Sequence, residues 1–450
     1  MRPDDADDEL AFTVERLHAA DEPLRIAVVT ETYPPEINGV AMSLKRMLDG
    51  LLARGHRIQL IRPRQHADDT AMQSGALHEV LARGMPIPRY GTLRVGLPAK
   101  QKLARLWAVE RPDLVHLVTE GPLGWSAMAG ARKLKLPVTS DFRTNFDAYS
   151  AHYGIRWLKR PISAYLRRFH NMGHETFVPT RAMQTQLIDC GYRNVEVVAR
   201  GVDTRLFSPQ RRCVALRTAW GVGARDPVVA FVSRLAPEKN LDLVARAFEA
   251  LRAQRPQARM LWVGDGPARE SLARQYPHHL FAGMRSGDDL ATHYASADLF
   301  LFGSLTETFG NVLTEALASG LPVVSYKQAA AAELVVPEHN GLLAEPGDEN
   351  TFIAQAVRAG LDDDLRAGMA TRARASVEQL GWDSVVDAFA ARLRATVATL
   401  KQGWKPVYSR FSPPVCLHVR PHLRLHRLRH DHGVSRSFQA AHPARPDPHP

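Results

Sequence analysis

Short apolar runs of strand width alternate with stretches whose apolar positions recur at helical spacing, and this alternation occurs twice along the chain. Residues 24–30 (LRIAVVT) form a β-branched run, followed by a Pro-rich loop that ends at Gly39. Val40, Leu44, Met47, Leu48, Leu51 and Leu52 then repeat at helical intervals up to Gly55, which stops the helix. Further strands are expected at Arg57–Ile61, Asp113–Val118 and Pro137–Phe142. After a polar connection near residues 200–226 the pattern restarts, with strands at Val228–Ser233, Met260–Val263, Asp298–Phe302 and Pro322–Ser325 and helices at Leu241–Leu251 and Val312–Ala318. Strands alternating with helices predict an α/β fold of two Rossmann-like doubly wound domains facing a central cleft. The 450 residues suffice for two cores plus extensions.

Charge changes the picture because it is unevenly placed. Residues 1–22 carry 2 basic and 8 acidic side chains, and residues 401–450 carry 9 and 2. Within the folded body, residues 23–200 hold 26 and 14, net +12, whereas residues 201–400 hold 21 and 23, net −2. A basic first half is a statement about partners, and anionic lipid or nucleic acid are the usual candidates. In Arg156–His170, positions Ile162, Tyr165, Leu166 and Phe169 share one helical face, fringed by Lys159, Arg160, Arg167 and Arg168. Such a helix either packs on the core or lies in a membrane interface. The first residues read as a disordered acidic segment, and residues 401–450, with eight prolines and seven histidines, as a disordered basic tail. No apolar run approaches spanning length and the N-terminus is acidic, so a cytoplasmic location is expected, peripheral on the inner membrane face if the basic half meets lipid. Cys190, Cys213 and Cys416 have no paired spacing, for a metal or for redox work.

Candidate chemistry lies just after the strands, where open α/β sheets bind ligands. After Val228–Ser233 come Arg234 and Lys239 on one short loop. A planar fork and a point charge suit a diphosphate, although cations near a helix start are also ordinary solvated side chains. After Asp298–Phe302 the run ETFGNVLTE leads into a helix. Gly310 permits close backbone approach, and the free N–H groups of Phe309, Gly310 and Asn311 at a helix start attract anionic oxygens. Glu315, one turn inside, suits the vicinal hydroxyls of a ribose, or else simply favours the helix dipole. Glu307 suits sugar hydroxyls. His116 closes the strand Asp113–Val118, either as a sugar contact and proton relay or as a structural histidine. Glu120 and Asp141 are further acceptor-side candidates, and Gly39 offers close backbone access at the first loop.

Taken together, the chain resembles retaining glycosyltransferases of family 4, with the two-lobed GT-B fold. Glu307 and Glu315 form that family's E-x7-E signature, with Arg234 and Lys239 at its phosphate-binding spacing. VGDGP at Val263–Pro267, which contains Gly264, NGLL at Asn340–Leu343 and RGVDTRLFSP at Arg200–Pro209 also match. The runs ETYPPEINGVAMSLKRM and SDFRTNFDAYSAHYG narrow the resemblance to bacterial lipid- or polyprenyl-directed hexosyl- and mannosyltransferases and sulfolipid synthases. The chain departs from relatives in the single Gly39 after Asn38, in TEGPLG after His116, and in Arg143 where several relatives show His.

The resemblance implies an acceptor domain at 23–200, a nucleotide-sugar domain at 201–380 and a helix at 381–400 returning to the first lobe. It implies transfer of a hexose, of mannose or glucose type, from a GDP- or UDP-sugar to a lipid, polyprenyl-linked or glycan acceptor. The anomeric configuration is retained, and no cofactor or metal is expected. The cluster Asp362–Asp364 falls in a helical surface stretch rather than beside the candidate diphosphate. A nicotinamide dehydrogenase would need G-x-G-x-x-G where this chain has ETYPPEING, and a nucleic-acid binder would need interleaved stacking aromatics. A catalytically silent nucleotide- or glycan-binding relative is the alternative that keeps the same fold.

Overall fold

A computed structural model describes residues 22–36, 39–66, 68–87, 90–143 and 159–401. The acidic segment expected before residue 22 and the tail expected beyond residue 401 lie outside the described residues. The first lobe contains β1 (Arg25–Val29), β2 (Arg57–Pro63), β3 (Gln73–Ser74), β4 (Leu77–Ala82), β5 (Gly84–Ile87), β6 (Tyr90–Gly96), β7 (Leu114–Leu117), β8 (Val138–Asp141), β9 (Glu175–Val178) and β10 (Val195–Val197). The second contains β11 (Val228–Val232), β12 (Arg259–Val263), β13 (Leu280–Gly283), β14 (Leu299–Phe302), β15 (Val323–Tyr326) and β16 (Gly341–Ala344).

The second sheet is wholly parallel, ordered β13-β12-β11-β14-β15-β16. Its order therefore reverses between β11 and β14, where the loops leaving two neighbouring strands diverge and open a crevice. The first sheet, β10-β9-β8-β7-β1-β2-β4-β3, reverses in the same way between β1 and β7. Only the β3–β4 edge pair in it is antiparallel, and β5 and β6 form a separate hairpin. The edge strands escape periodicity because they are short and mixed: β9 is ETFV and β10 only VEV.

Strands buried on both faces need helices on both faces. Ile26, Val28, Leu60 and Leu114 pack on one side of the first sheet beneath Leu44, Leu48 and Leu51. Val29, Ile61 and Leu117 face Trp107, Leu123 and Phe169 on the other. Phe231, Trp262 and Phe300 centre the second lobe, under Phe248, Leu317 and Phe352.

Helix Trp382–Lys401 leaves the second lobe and packs on the first, adding Val386, Phe389, Ala390 and Leu393 to its core. Gly50 admits this helix, since a Cβ there would stand 2.6 Å from a methyl of Val386. Arg54 to Asp387 at 2.5 Å, and Arg392 to Glu175 at 3.1 Å and to Glu196 at 3.0 Å, fix its rotation.

Helix Lys159–His170 resolves one open reading. Leu166 and Phe169 are buried and Tyr165 donates to the Glu120 carbonyl at 2.7 Å. Leu166 and Phe169 of the apolar face that a membrane interface would need are therefore used inside the lobe, while Ile162 is half-buried and Tyr165, Arg160 and Arg168 remain exposed. Residues 156–158 of that segment lie outside the described residues. Among the described residues no helix is long and apolar enough to cross a membrane.

Leu393 is fully buried in the core that the returning helix shares with the first lobe. Leu393→Ala should lower the unfolding free energy by about 2–5 kcal/mol, the cost of an unfilled cavity. Urea unfolding showing a loss below about 1 kcal/mol would mean that the returning helix does not hold the first lobe.

Candidate active site

The crevice between β11 and β14 collects most of the residues singled out in the sequence. Arg234 follows β11 and pairs with Glu238, which lies in the 3-10 turn Pro237–Lys239. Lys239 pairs with Glu307 on the loop after β14, so both carboxylates occupy positions where they neutralise a cation. Ser304 donates to Glu307 Oε1 at 2.9 Å, and Thr306 reaches the Glu238 carbonyl at 3.4 Å, tying the two loops together. Asn240 then takes the left-handed conformation, φ 54°, to start helix Leu241–Arg252.

Gly264 lies after β12 and acts on this loop through its backbone. With φ +132°, a Cβ there would meet the Ser233 carbonyl oxygen at 2.0 Å. Its lack of a side chain lets the β11 and β12 loops pack together and seats Arg234.

Gly310, φ +90°, caps helix Asn311–Ala318 and turns the chain from the Glu307 loop into it. Glu307 and Phe309 line a pocket of about 190 Å3 together with Ser304, Ser325 and Gln328. Glu315 sits one turn into the helix, where the Tyr294 hydroxyl donates to its Oε2 at 3.0 Å. Burial pushes the Glu315 carboxyl up to about 7, against the lowering effect of that hydrogen bond. Tyr294 and Gln328 carry no mark in the sequence: Tyr294 reads as helix core, and Gln328 stands between Lys327 and a run of alanines just after a strand.

Across the cleft, the first lobe supplies Gly39 and the end of β8. Gly39 begins helix Gly39–Ala53, and a Cβ on it would stand 3.9 Å from Asn311 Nδ2. Thr308 donates to the Arg143 carbonyl at 3.2 Å. His116 lies deeper than a sugar contact requires. Its ring is buried, with Nδ1 3.0 Å from the Thr139 hydroxyl and Nε2 3.4 Å from Asp141 Oδ2, and Phe389 stands edge-on at 5.1 Å. His116 thus reaches the cleft only through Asp141, which in turn binds Arg143. Glu120 is likewise buried, 3.3 Å from His170 Nε2. The strand pleat explains His116, since a side chain on a central strand points into the lobe as readily as toward its rim, whereas Glu120 lies on the loop after β7 and is turned inward to His170.

Among the described residues Glu249, His278 and His279 form the one group spaced for a metal. The Trp262 indole N–H donates to His279 Nδ1 at 3.1 Å, which leaves the ring proton on Nε2. That proton points at Glu249 Oε1, 2.9 Å away, and burial lowers His279 to about 4. The ring atom a cation would need is protonated, so the group is a hydrogen-bond cluster that steadies the back of the second lobe.

Two facing doubly wound lobes, with cations and carboxylates at the second lobe's switch point, define a glycosyltransferase of the GT-B class. The pattern described as Glycosyltransferase Family 4 matches residues 37–206, and that described as Glycosyl transferases group 1 matches residues 226–363. A GDP-mannose-dependent alpha-mannosyltransferase of Mycobacterium tuberculosis is 34% identical over 368 residues, covering 81% of this chain and 94% of that protein. The sulfoquinovosyl transferase of Arabidopsis thaliana is 27% identical, covering 80% and 71%. Among solved structures, a sucrose-phosphate synthase from Thermosynechococcus elongatus superposes with a TM-score of 0.68 at 18% identity, covering 84% of this chain and 100% of that one, a likeness of fold. The chain belongs to glycosyltransferase family 4.

The buried Glu315 has a consequence for stability. Its folded value of about 7 exceeds the ordinary 4.5, so the stability it contributes is full below pH 4.5 and is lost as pH rises through 7. Glu315→Gln should therefore gain on the wild type as pH rises through this window, by roughly 2–3 kcal/mol in the nucleotide-free protein. Parallel stability–pH curves for the two proteins would contradict a buried, uncompensated carboxyl.

Proposed function

We propose that this chain transfers a mannosyl group from GDP-mannose to a lipid-borne acceptor, with retention of anomeric configuration and without a divalent metal. The observation that carries the reading is the pairing of Lys239 with Glu307 and of Arg234 with Glu238 at the switch point. The nucleotide sugar comes from similarity to GDP-mannose-dependent mannosyltransferases 32–34% identical to this chain. The lipid acceptor comes from more distant relatives named as glycolipid synthases.

Transfer breaks the bond between the anomeric carbon and the diphosphate oxygen, leaving positive charge on the sugar and negative charge on the leaving group. Lys239 and Arg234 exchange their carboxylate partners for diphosphate oxygens, and the free N–H groups at Gly310 and Asn311 add to them. Glu307, released, accepts from hydroxyls of the sugar. Glu315 accepts from the ribose hydroxyls. The acceptor oxygen then bonds to the anomeric carbon on the face the diphosphate leaves, and its proton passes to the departing phosphate oxygen. Charge on the diphosphate is balanced by side chains and backbone, so no cation is required. His116, too deep to touch the sugar, orients Asp141.

The acceptor's location follows from charge. Arg160 and Arg168 are exposed on a lobe of net charge +12, suited to the anionic face of a membrane.

With radiolabelled GDP-mannose and a lipid extract, Lys239→Ala should lower kcat/KM by about 100- to 1000-fold, the scale of one lost transition-state contact. Wild-type transfer should persist in EDTA and fail with UDP-glucose. Activity that is abolished by EDTA and restored by manganese would overturn the metal-free mechanism.

Vesicles of phosphatidylglycerol should bind the full chain at low salt and release it as salt approaches about 0.5 M, with Arg160→Glu/Arg168→Glu binding more weakly. Equal binding to phosphatidylcholine vesicles would remove the electrostatic account.

A further inference from the structure

Where β8 ends, two guanidinium groups converge on the Ser43 hydroxyl, and one of them also pairs with a carboxylate. Arg143 Nε lies 2.6 Å from Asp141 Oδ2, and its Nη2 pairs with the same oxygen. Burial alone would raise Asp141, but Arg143 and His116 outweigh it and hold the carboxyl well below its usual range. Its Oδ2 is therefore taken by Arg143 and His116, and Asp141 acts on Arg200 through the field of its charge. Arg200, on the passage between the lobes, has only Ser43 as a hydrogen-bond partner among the described residues, 3.3 Å from its Nη1. The Ser43 hydroxyl is saturated too: it accepts from Arg143 Nη1 at 2.8 Å and donates to the Val40 carbonyl at 3.1 Å. Burial, then the neighbouring Arg143, push the Arg200 guanidinium down to about 9.

An arginine kept for structure alone is normally paired, because a desolvated, unmatched cation opposes folding. This one stands on the wall of a pocket of about 400 Å3 that Arg143, Asp141 and Ser43 also line, with Met47, Phe142 and Trp382 as apolar surface. The pocket adjoins the donor loop, since the Arg143 carbonyl receives the Thr308 hydroxyl. It is nonetheless separate from the diphosphate cations Arg234 and Lys239, which belong to the opposite lobe. Two planar forks converging beside apolar walls match a planar or tetrahedral oxyanion attached to a larger body.

We infer that Arg143 and Arg200 form an anion subsite that takes a carboxylate or phosphate group on the acceptor, so that this enzyme selects a negatively charged acceptor headgroup. The inference deepens the reading of the cleft as a transfer site and rests on it for the word acceptor, but the anion site itself is testable alone.

The full chain is saturated with GDP, which fills the diphosphate positions, and titrated calorimetrically with inorganic phosphate and, separately, with acetate. One or both should bind: tighter phosphate assigns a phosphorylated headgroup, tighter acetate a carboxylated one. Arg200→Met should weaken that binding by about tenfold or more, a change calorimetry resolves, while GDP affinity stays within about twofold. The unfolding midpoint of Arg200→Met should hold or rise, because an unmatched cation is removed, whereas loss of a purely structural arginine would lower it. Arg143→His serves as a second, smaller change and should weaken the same anion. Wild-type protein that binds neither anion when GDP-loaded, or anion binding untouched in both variants, overturns the subsite. Failure of the wild type to bind GDP would count against the transferase reading instead.

Discussion

The chain passes between its lobes twice, and the two passages are bonded to each other. Val202 N donates to the Leu380 carbonyl at 2.9 Å, and the two segments form an isolated bridge between Val202 and Gly381. Beside it, Gly201 lies so close to Trp382 that a Cβ would stand 2.5 Å from the indole. A backbone hydrogen bond and a glycine–tryptophan contact at one point leave little freedom in how far apart the sheets sit. The cleft contacts depend on that separation. Thr308 meets Arg143, Asn311 faces Gly39, and Glu333 accepts from the Arg181 and Ala182 amides at the start of helix Arg181–Asp189. The last of these lets a carboxylate of the second lobe satisfy free amides of the first.

Within that frame the site is an arrangement of charges awaiting exchange. Lys239 and Arg234 are each matched by a carboxylate from a neighbouring turn or loop, which lowers the cost of holding cations in a partly enclosed crevice. In the mechanism proposed above, a diphosphate would replace those carboxylates and free Glu307 for the sugar. Glu315 follows the same logic from the other side. Buried, with the Tyr294 hydroxyl as its one side-chain partner among the described residues, it is poorly solvated as an anion, and hydroxyl donors from a ribose would supply what its surroundings lack. On the first lobe the balance is reversed, because among the described residues Arg200 has no carboxylate within ion-pair distance. The two walls of the cleft thus differ in kind: one holds matched ion pairs, the other a buried cation bonded only to a hydroxyl among the described residues.

The sequence by itself determined the α/β class, the strands that carry the site and the loops after them. Val228–Ser233 and Asp298–Phe302 are apolar enough to be legible as buried strands, and Arg234, Lys239, Glu307, Gly310 and Glu315 follow at spacings that only a strand-loop-helix unit explains. Sheet order was beyond it. That β11 neighbours β14, and so makes one crevice of two distant loops, depends on which strands pair across dozens of residues, and periodicity within each strand says nothing of that. Tertiary structure alone decided the direction of individual side chains. It turned His116 into the lobe, packed Phe169 against the core where an interfacial helix was one option, and set Tyr294 on Glu315. Among the described residues it also left Arg200 without a carboxylate at ion-pair distance, because pairing between charges is settled by distances in space that no local pattern encodes.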